Sequence, residues 1–160
     1  MSVEFSDTEW RVYDVEADSL AAAAQVILQM DEPAEAEWFP SYEYTTSLGR
    51  LTSAAVTVRM RVTMPHWTGY HSAPLEEQDE WTRFCAALRD HEQSHLELVR
   101  RHLTDVDRQL VGNSVTAAER SWEQALARLK SASQAYDGET DHGRRQGTII
   151  NFGIDGTDMV

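Results

Sequence analysis

The chain has 160 residues, 41% of them apolar and five of them tryptophan, enough for one compact core but not two. Its formal charge of −13 excludes a phosphate-backbone partner, because nucleic-acid binding rests on clustered Lys and Arg. Cys85 is the only cysteine, which rules out an intrachain disulfide or a thiolate metal cluster and leaves it a small core residue.

Taken in chain order, "WRVYDV" at residues 10–15 alternates large apolar and polar residues as a half-buried strand does. Asp18 or Ser19 then supplies an N-cap for a short helix, "LAAAAQVILQM". Pro33 and the acidic "DEPAEAE" break it. "WFPSYEYTTSL" and "LTSAAVTVRMRVTM" are rich in aromatic and β-branched residues and flank Gly49-Arg50, which predicts an antiparallel hairpin. In its second strand Val56, Val58, Met60 and Val62 share one face, predicted to be buried. "PHWTGYHSAP" at residues 65–74 is expected to be a loop, followed by a long helix from Leu75 to Leu110. Gly112 ends that helix, and Asn113 or Ser114 caps a second one, "VTAAERSWEQALARLKSASQAY", that turns back as a helical hairpin. A short apolar run, Thr148 to Phe152, is expected to form one last strand. Strands precede helices rather than alternating with them, so the predicted class is α+β in a single domain over residues 1–160.

The long helix carries the chemistry. At about 100° per residue, Trp81, Cys85, Leu88, Val99, Leu103, Val106 and Leu110 form one buried stripe, and Glu92 falls in its middle. Burying an ionised carboxylate costs several kcal/mol unless a cation or hydrogen bonds compensate it. His91 and His95 lie on the same face one turn apart, and H-E-x-x-H is the pattern in which two imidazoles hold one Zn2+ while the intervening Glu deprotonates a zinc-activated water. With six histidines, chance would produce the pattern in only about 0.02 chains of this composition. His91 and His95 are therefore expected to be ligands and Glu92 the general base, with a single Zn2+ as cofactor. His102 lies about 10 Å along the axis from His95, too far to reach the same ion.

Catalytic zinc takes three protein ligands and keeps a fourth position open. The metzincin extension fails, because Leu98 stands where a Gly should be and Arg101 where the third His should be. Glu119 and Glu123 could return from the second helix, but i to i+4 pairing with Lys or Arg explains them more simply. The segment "YDGETDHGRRQG", residues 136–147, offers His142 next to Gly143, among acids able to orient its second nitrogen. His142 is the expected third ligand, with Asp137, Glu119 and Glu123 behind it in that order.

"HEQSH" together with "YDGETDHGRRQG" resembles a bacterial family of uncharacterised proteins described as predicted secreted zinc-dependent proteases, whose members pair H-E-x-x-H with a later Y-D-x-x-T-x-H-G-x-x-Q-G. The likeness spans most of residues 10–150, including Trp67 in the proline-containing loop and Trp81 at the start of the helix. It implies a zincin-like fold, a small antiparallel sheet packed on the H-E-x-x-H helix, and a metal site. It also implies secretion, whereas "MSVEFSDTEW" has neither the basic start nor the apolar run of a secretory signal and reads as the beginning of a soluble, cytoplasmic protein.

The expected function is that of a zinc-dependent metallopeptidase acting on a peptide or protein, with neither nucleic acid nor membrane as partner. Tyr136, within the second motif, or His66 would donate to the tetrahedral oxyanion. The alternative is a non-catalytic zinc domain serving structure or partner binding. Glu92 separates the two, since a purely structural site closes four ligands around the ion and has no use for a base.

Overall fold

The computed structural model describes residues 2–151 and is α+β. Its elements are β1 (Ser2–Phe5), β2 (Glu9–Val15), α1 (Leu20–Leu28), β3 (Glu35–Ser47), β4 (Arg50–Trp67), α2 (Leu75–Leu103), α3 (Val106–Leu110) and α4 (Val115–Thr140), with 3-10 turns at Tyr70–Ser72 and Arg144–Gln146. No described helix is long and apolar enough to cross a membrane. The chain divides into two compact units that alternate along the sequence. Among the described residues, the first holds residues 2–9, Ala36–Arg61 and Ser94–Tyr136; the second holds Trp10–Glu35, Val62–Gln93 and residues 137–151.

The sheet has the order β1-β4-β2, with β3 also paired to β4. It is not the antiparallel sheet expected, because β1 runs parallel to β4, with Ser2 opposite Ala55 and Phe5 opposite Val58. Four residues, "SVEF", are too few for a period of two to stand out, and a parallel partner sits far away in sequence. The hairpin expected around Gly49 is present as β3 and β4. Its turn is Leu48–Gly49, both with positive φ (53° and 76°), and Thr45 Oγ1 closes on Thr52 Oγ1 at 2.8 Å and Ser53 Oγ at 2.6 Å. Two left-handed residues in a two-residue loop match the right-handed twist of antiparallel neighbours.

In β4 the residues Val56, Val58, Met60 and Val62 are all buried, as their alternation requires. Pro65–Trp67 continue the strand instead of opening a loop. Trp67 explains the extra length: its Nε1 donates to the carbonyl of Ala17 at 2.8 Å and its ring lies 5.7 Å from that of Trp81. Ser19 caps α1, accepting from the amide of Ala22 at 3.1 Å. Glu77, in the first turn of α2, accepts from the Leu20 amide at 2.7 Å, satisfying another of the unpaired donors at that helix start.

The long helix stops at Leu103, seven residues short of expectation. Thr104-Asp105, two residues of low helix propensity, interrupts it before α3. Gly112, at φ 89°, turns the chain, and Ser114 caps α4 by accepting from the amide of Ala117 at 3.2 Å. At its other end α4 runs four residues past the expected Tyr136. There the amide of His142 donates to the carbonyl of Asp137 at 2.8 Å and that of Asp141 to Gly138 at 3.5 Å, the pair of bonds of a Schellman cap. Asp141 occupies the left-handed position usually given to glycine, at φ 50°. Thr148–Asn151 form no strand, and Phe152, the last residue of the expected strand, lies outside the described residues. Side chains of α2 hold this backbone instead: Arg83 donates to the carbonyls of Gly147 (2.9 Å) and Ile149 (2.5 Å), and Glu80 accepts from the amide of Asn151 at 2.5 Å.

Candidate metal site

Helix α2 passes uninterrupted from the second unit, with His91 and Glu92, into the first, with His95. Helix α4 passes from the first, with Ser133 and Tyr136, into the second, with Asp137. Within the second unit His91 Nε2 lies 3.1 Å from Asp137 Oδ1; within the first, His95 Nδ1 lies 2.7 Å from Ser133 Oγ. One i,i+4 pair on α2 therefore meets one i,i+4 pair on α4 in reverse order, as antiparallel helices require. Tyr136 sets its ring edge-on to His95, with centroids 5.0 Å apart and planes at 88°.

All three residues of the first motif are buried, and Glu92 is only 3% exposed. His91 is fixed from both sides. Gln146 Oε1 lies 2.7 Å from its Nδ1, and an amide oxygen can only accept, so Nδ1 carries the proton. In that tautomer Nε2, the other ring nitrogen, faces the carboxylate of Asp137. Two acceptors so placed need a cation or a proton between them. Donors bonded to zinc at about 2.0 Å in a tetrahedron stand about 3.3 Å apart, close to the 3.1 Å found here. The donor atoms of His91, His95 and Asp137 all lie within 4.8 Å of one another. Two imidazoles and a carboxylate suit Zn2+ in number and kind, and Gln146 and Ser133 orient the rings through the other nitrogen, as partners of metal-bound histidines do.

His142 belongs to a second group. Its donor atom, those of Glu32 and Asp137, and no others among the described residues, lie within 4.8 Å of one another, and its Nδ1 is 3.5 Å from Glu32 Oε1. The His142 side chain is half exposed, and its backbone is left-handed at φ 55°. Burial, and after it the charge of Asp137, holds the Glu32 carboxyl above its ordinary range, while His142 opposes the shift. Asp137 is thus common to both groups. Gly143 follows at φ 87° and is pressed against His91: a Cβ there would stand 3.0 Å from His91 Cγ and 2.9 Å from Thr148 Cγ2.

The remaining candidates lie elsewhere. His66 Nδ1 is 3.1 Å from Asp14 Oδ1, the ring of His71 packs edge-on against Tyr70, and His102 Nδ1 donates to the carbonyl of Leu98 at 2.9 Å. Glu119 and Glu123 are exposed, and their charges act on the hydroxyl of Tyr42, whose pKa rises chiefly through burial. Sequence reasoning assigned no role to Ser133, Gln146 or Glu32. The first could have been found as the residue four before Asp137 on a helix carried past Tyr136.

The chain matches, over residues 10–143, the model of a family described as bacterial protein of unknown function (DUF922). It belongs to that family. No curated protein and no solved structure matches it. In this DUF922 chain the matched span holds His91, Glu92, His95, Tyr136, Asp137 and His142, and ends on the glycine that touches His91.

Proposed function

We propose that this DUF922 protein is a zincin-like, zinc-dependent peptidase in which His91, His95 and Asp137 hold the ion. The observation that carries this reading is Glu92, a carboxylate buried one residue from a ligand histidine on the same helix. A structural zinc site has no use for such a group. Zinc, when bound, supplies a Lewis acid that polarises a carbonyl and makes water easier to deprotonate. Glu92 accepts the proton of the attacking water and passes it to the leaving amine. Gln146 and Ser133 keep the two imidazoles in their ligating tautomers, so that ligand geometry is set before substrate arrives. The Tyr136 hydroxyl is the proposed donor to the oxyanion, its ring being held in place against His95.

A second reading makes His142 the third ligand. It is favoured by the backbone of Asp141 and His142, two consecutive non-glycine residues at positive φ, a costly conformation often found where a side chain must be aimed. The deciding experiment for function is Glu92→Gln. It should retain one equivalent of zinc while hydrolysis of a denatured protein such as casein falls by about 100- to 10,000-fold, the usual worth of a general base. Retained hydrolysis in that variant, or a wild-type protein that takes up no zinc, would defeat the proposal.

A further inference from the structure

We infer that the cavity beside His142 is the subsite that receives one aliphatic or single-ring side chain of a peptide; the inference rests on the peptidase reading for calling that peptide a substrate. The cavity measures about 150 Å³ and lies wholly within the second unit. Ile27, Leu28, Met30, Ile149 and Ile150 supply its apolar walls, and His142 stands at one side. His142 shares a donor group with Asp137, and Asp137 lies 3.1 Å from His91 Nε2, so a side chain seated here is linked to the proposed ligand His91 through His142 and Asp137. Size sets the occupant. A dry cavity of about 150 Å³ takes one benzene ring, which corresponds to Leu, Met or Phe and leaves no room for an indole.

Charge sets it too. Arg144 lines the cavity, but its Nη1 is already held by Asp141 at 3.2 Å, so it is no strong counter-ion for an acidic guest. Leu28 is 67% exposed and Ile149 41% exposed. A guest side chain would cover both. A second cavity of about 440 Å³, lined by Trp67, Tyr70 and Trp81 among others, contains none of the residues of the two donor groups.

The test uses zinc-loaded Glu92→Gln protein and a set of otherwise identical peptides with one guest position: Ala, Leu, Phe, Trp or Asp. Binding measured by calorimetry should favour Leu and Phe over Ala by about 10- to 100-fold, the range over which apolar pockets discriminate, with Trp and Asp no better than Ala. Adding Leu28→Glu or, separately, Ile149→Glu, both at exposed positions, should bring the preference below about threefold without changing zinc content. Equal affinity for all guests, binding of none of them, or a preference that survives both substitutions overturns the assignment. Wild-type protein assayed on the same peptides separates the two claims. If it is zinc-loaded and cleaves none of them while the Leu and Phe preference persists, the peptidase reading falls and the subsite stands.

Discussion

Gly143→Ala tests the coupling between the loop after α4 and His91, a proposed zinc ligand, and its magnitude can be worked from the structure. The left-handed backbone at φ 87° costs an L-residue about 1–2 kcal/mol. The new methyl would also stand 2.9 Å from Thr148 Cγ2 and 3.0 Å from His91 Cγ. Both neighbours are buried, Thr148 and His91 alike, so neither can swing into solvent, and overpacking adds about 1–3 kcal/mol. The sum is about 2–5 kcal/mol, or roughly 5–15 °C in Tm for a chain of this size. Relief by moving the His91 ring would break the 2.7 Å contact with Gln146 and weaken zinc binding as well. Gly138→Ala is the matched control: it lies within α4, nothing stands within 4 Å of its Cβ position, and Ala there should stabilise by about 0.5–1 kcal/mol. Thermal unfolding of the metal-free proteins and a competitive zinc titration read both quantities. A Gly143→Ala protein within about 1 kcal/mol of wild type, or one destabilised with unchanged zinc affinity, would refute the packing argument.

Three further outcomes are expected. Asp137→Ala should lower zinc affinity more than His142→Ala, and by more than the roughly 10- to 100-fold typical of losing an orienting partner; the reverse order in a chelator competition would give the third position to His142. Leu48→Asn, at a fully exposed residue with φ 53° in a two-residue hairpin turn, should raise stability by about 1 kcal/mol in denaturant unfolding, and a loss would show that the turn is not of the type described. Burial pushes the Cys85 thiol up to about 11, so at pH 8 its alkylation by iodoacetamide should lag well behind that of a free cysteine; the same raised value means that the folded state binds the proton more tightly than the unfolded one, and stability should fall as pH rises from about 9 towards 11. Alkylation at the rate of free cysteine would contradict the buried environment.

The parts legible in the sequence were those with a strong local period. β4 declares its buried face through Val56, Val58, Met60 and Val62, and the apolar stripe of α2 places Glu92 among core residues. Caps were legible for the same reason, since Ser19 and Ser114 each act on an amide three residues away. What escaped was set by distant partners. β1 is a strand only because Ala55 to Val58 lie beside it, and Pro65–Trp67 stay extended because Trp67 is anchored to Ala17 and Trp81. The expected last strand fails from the same cause: the backbone of Gly147 and Ile149 is claimed by the guanidinium of Arg83, 64 and 66 residues earlier.

The donor set turns on a smaller matter, where α4 ends. Gly138 has the sequence signature of a helix stop, and a helix ending at Tyr136 would release Asp137 into a loop, leaving His142 as the natural third ligand. The helix instead continues to Thr140, since Asp141 accepts the left-handed position and the His142 amide closes on the Asp137 carbonyl. Carrying α4 that one turn further puts Asp137 directly above Ser133, four residues on, and therefore opposite His91 just as Ser133 is opposite His95. The same cap that places Asp137 beside His91 holds the His142 backbone in a left-handed turn, with its Nδ1 3.5 Å from Glu32 Oε1. Substitutions that shorten α4 should therefore act first on Asp137, moving it from His91 Nε2 and lowering zinc affinity, while His91 and His95 stay one turn apart on α2.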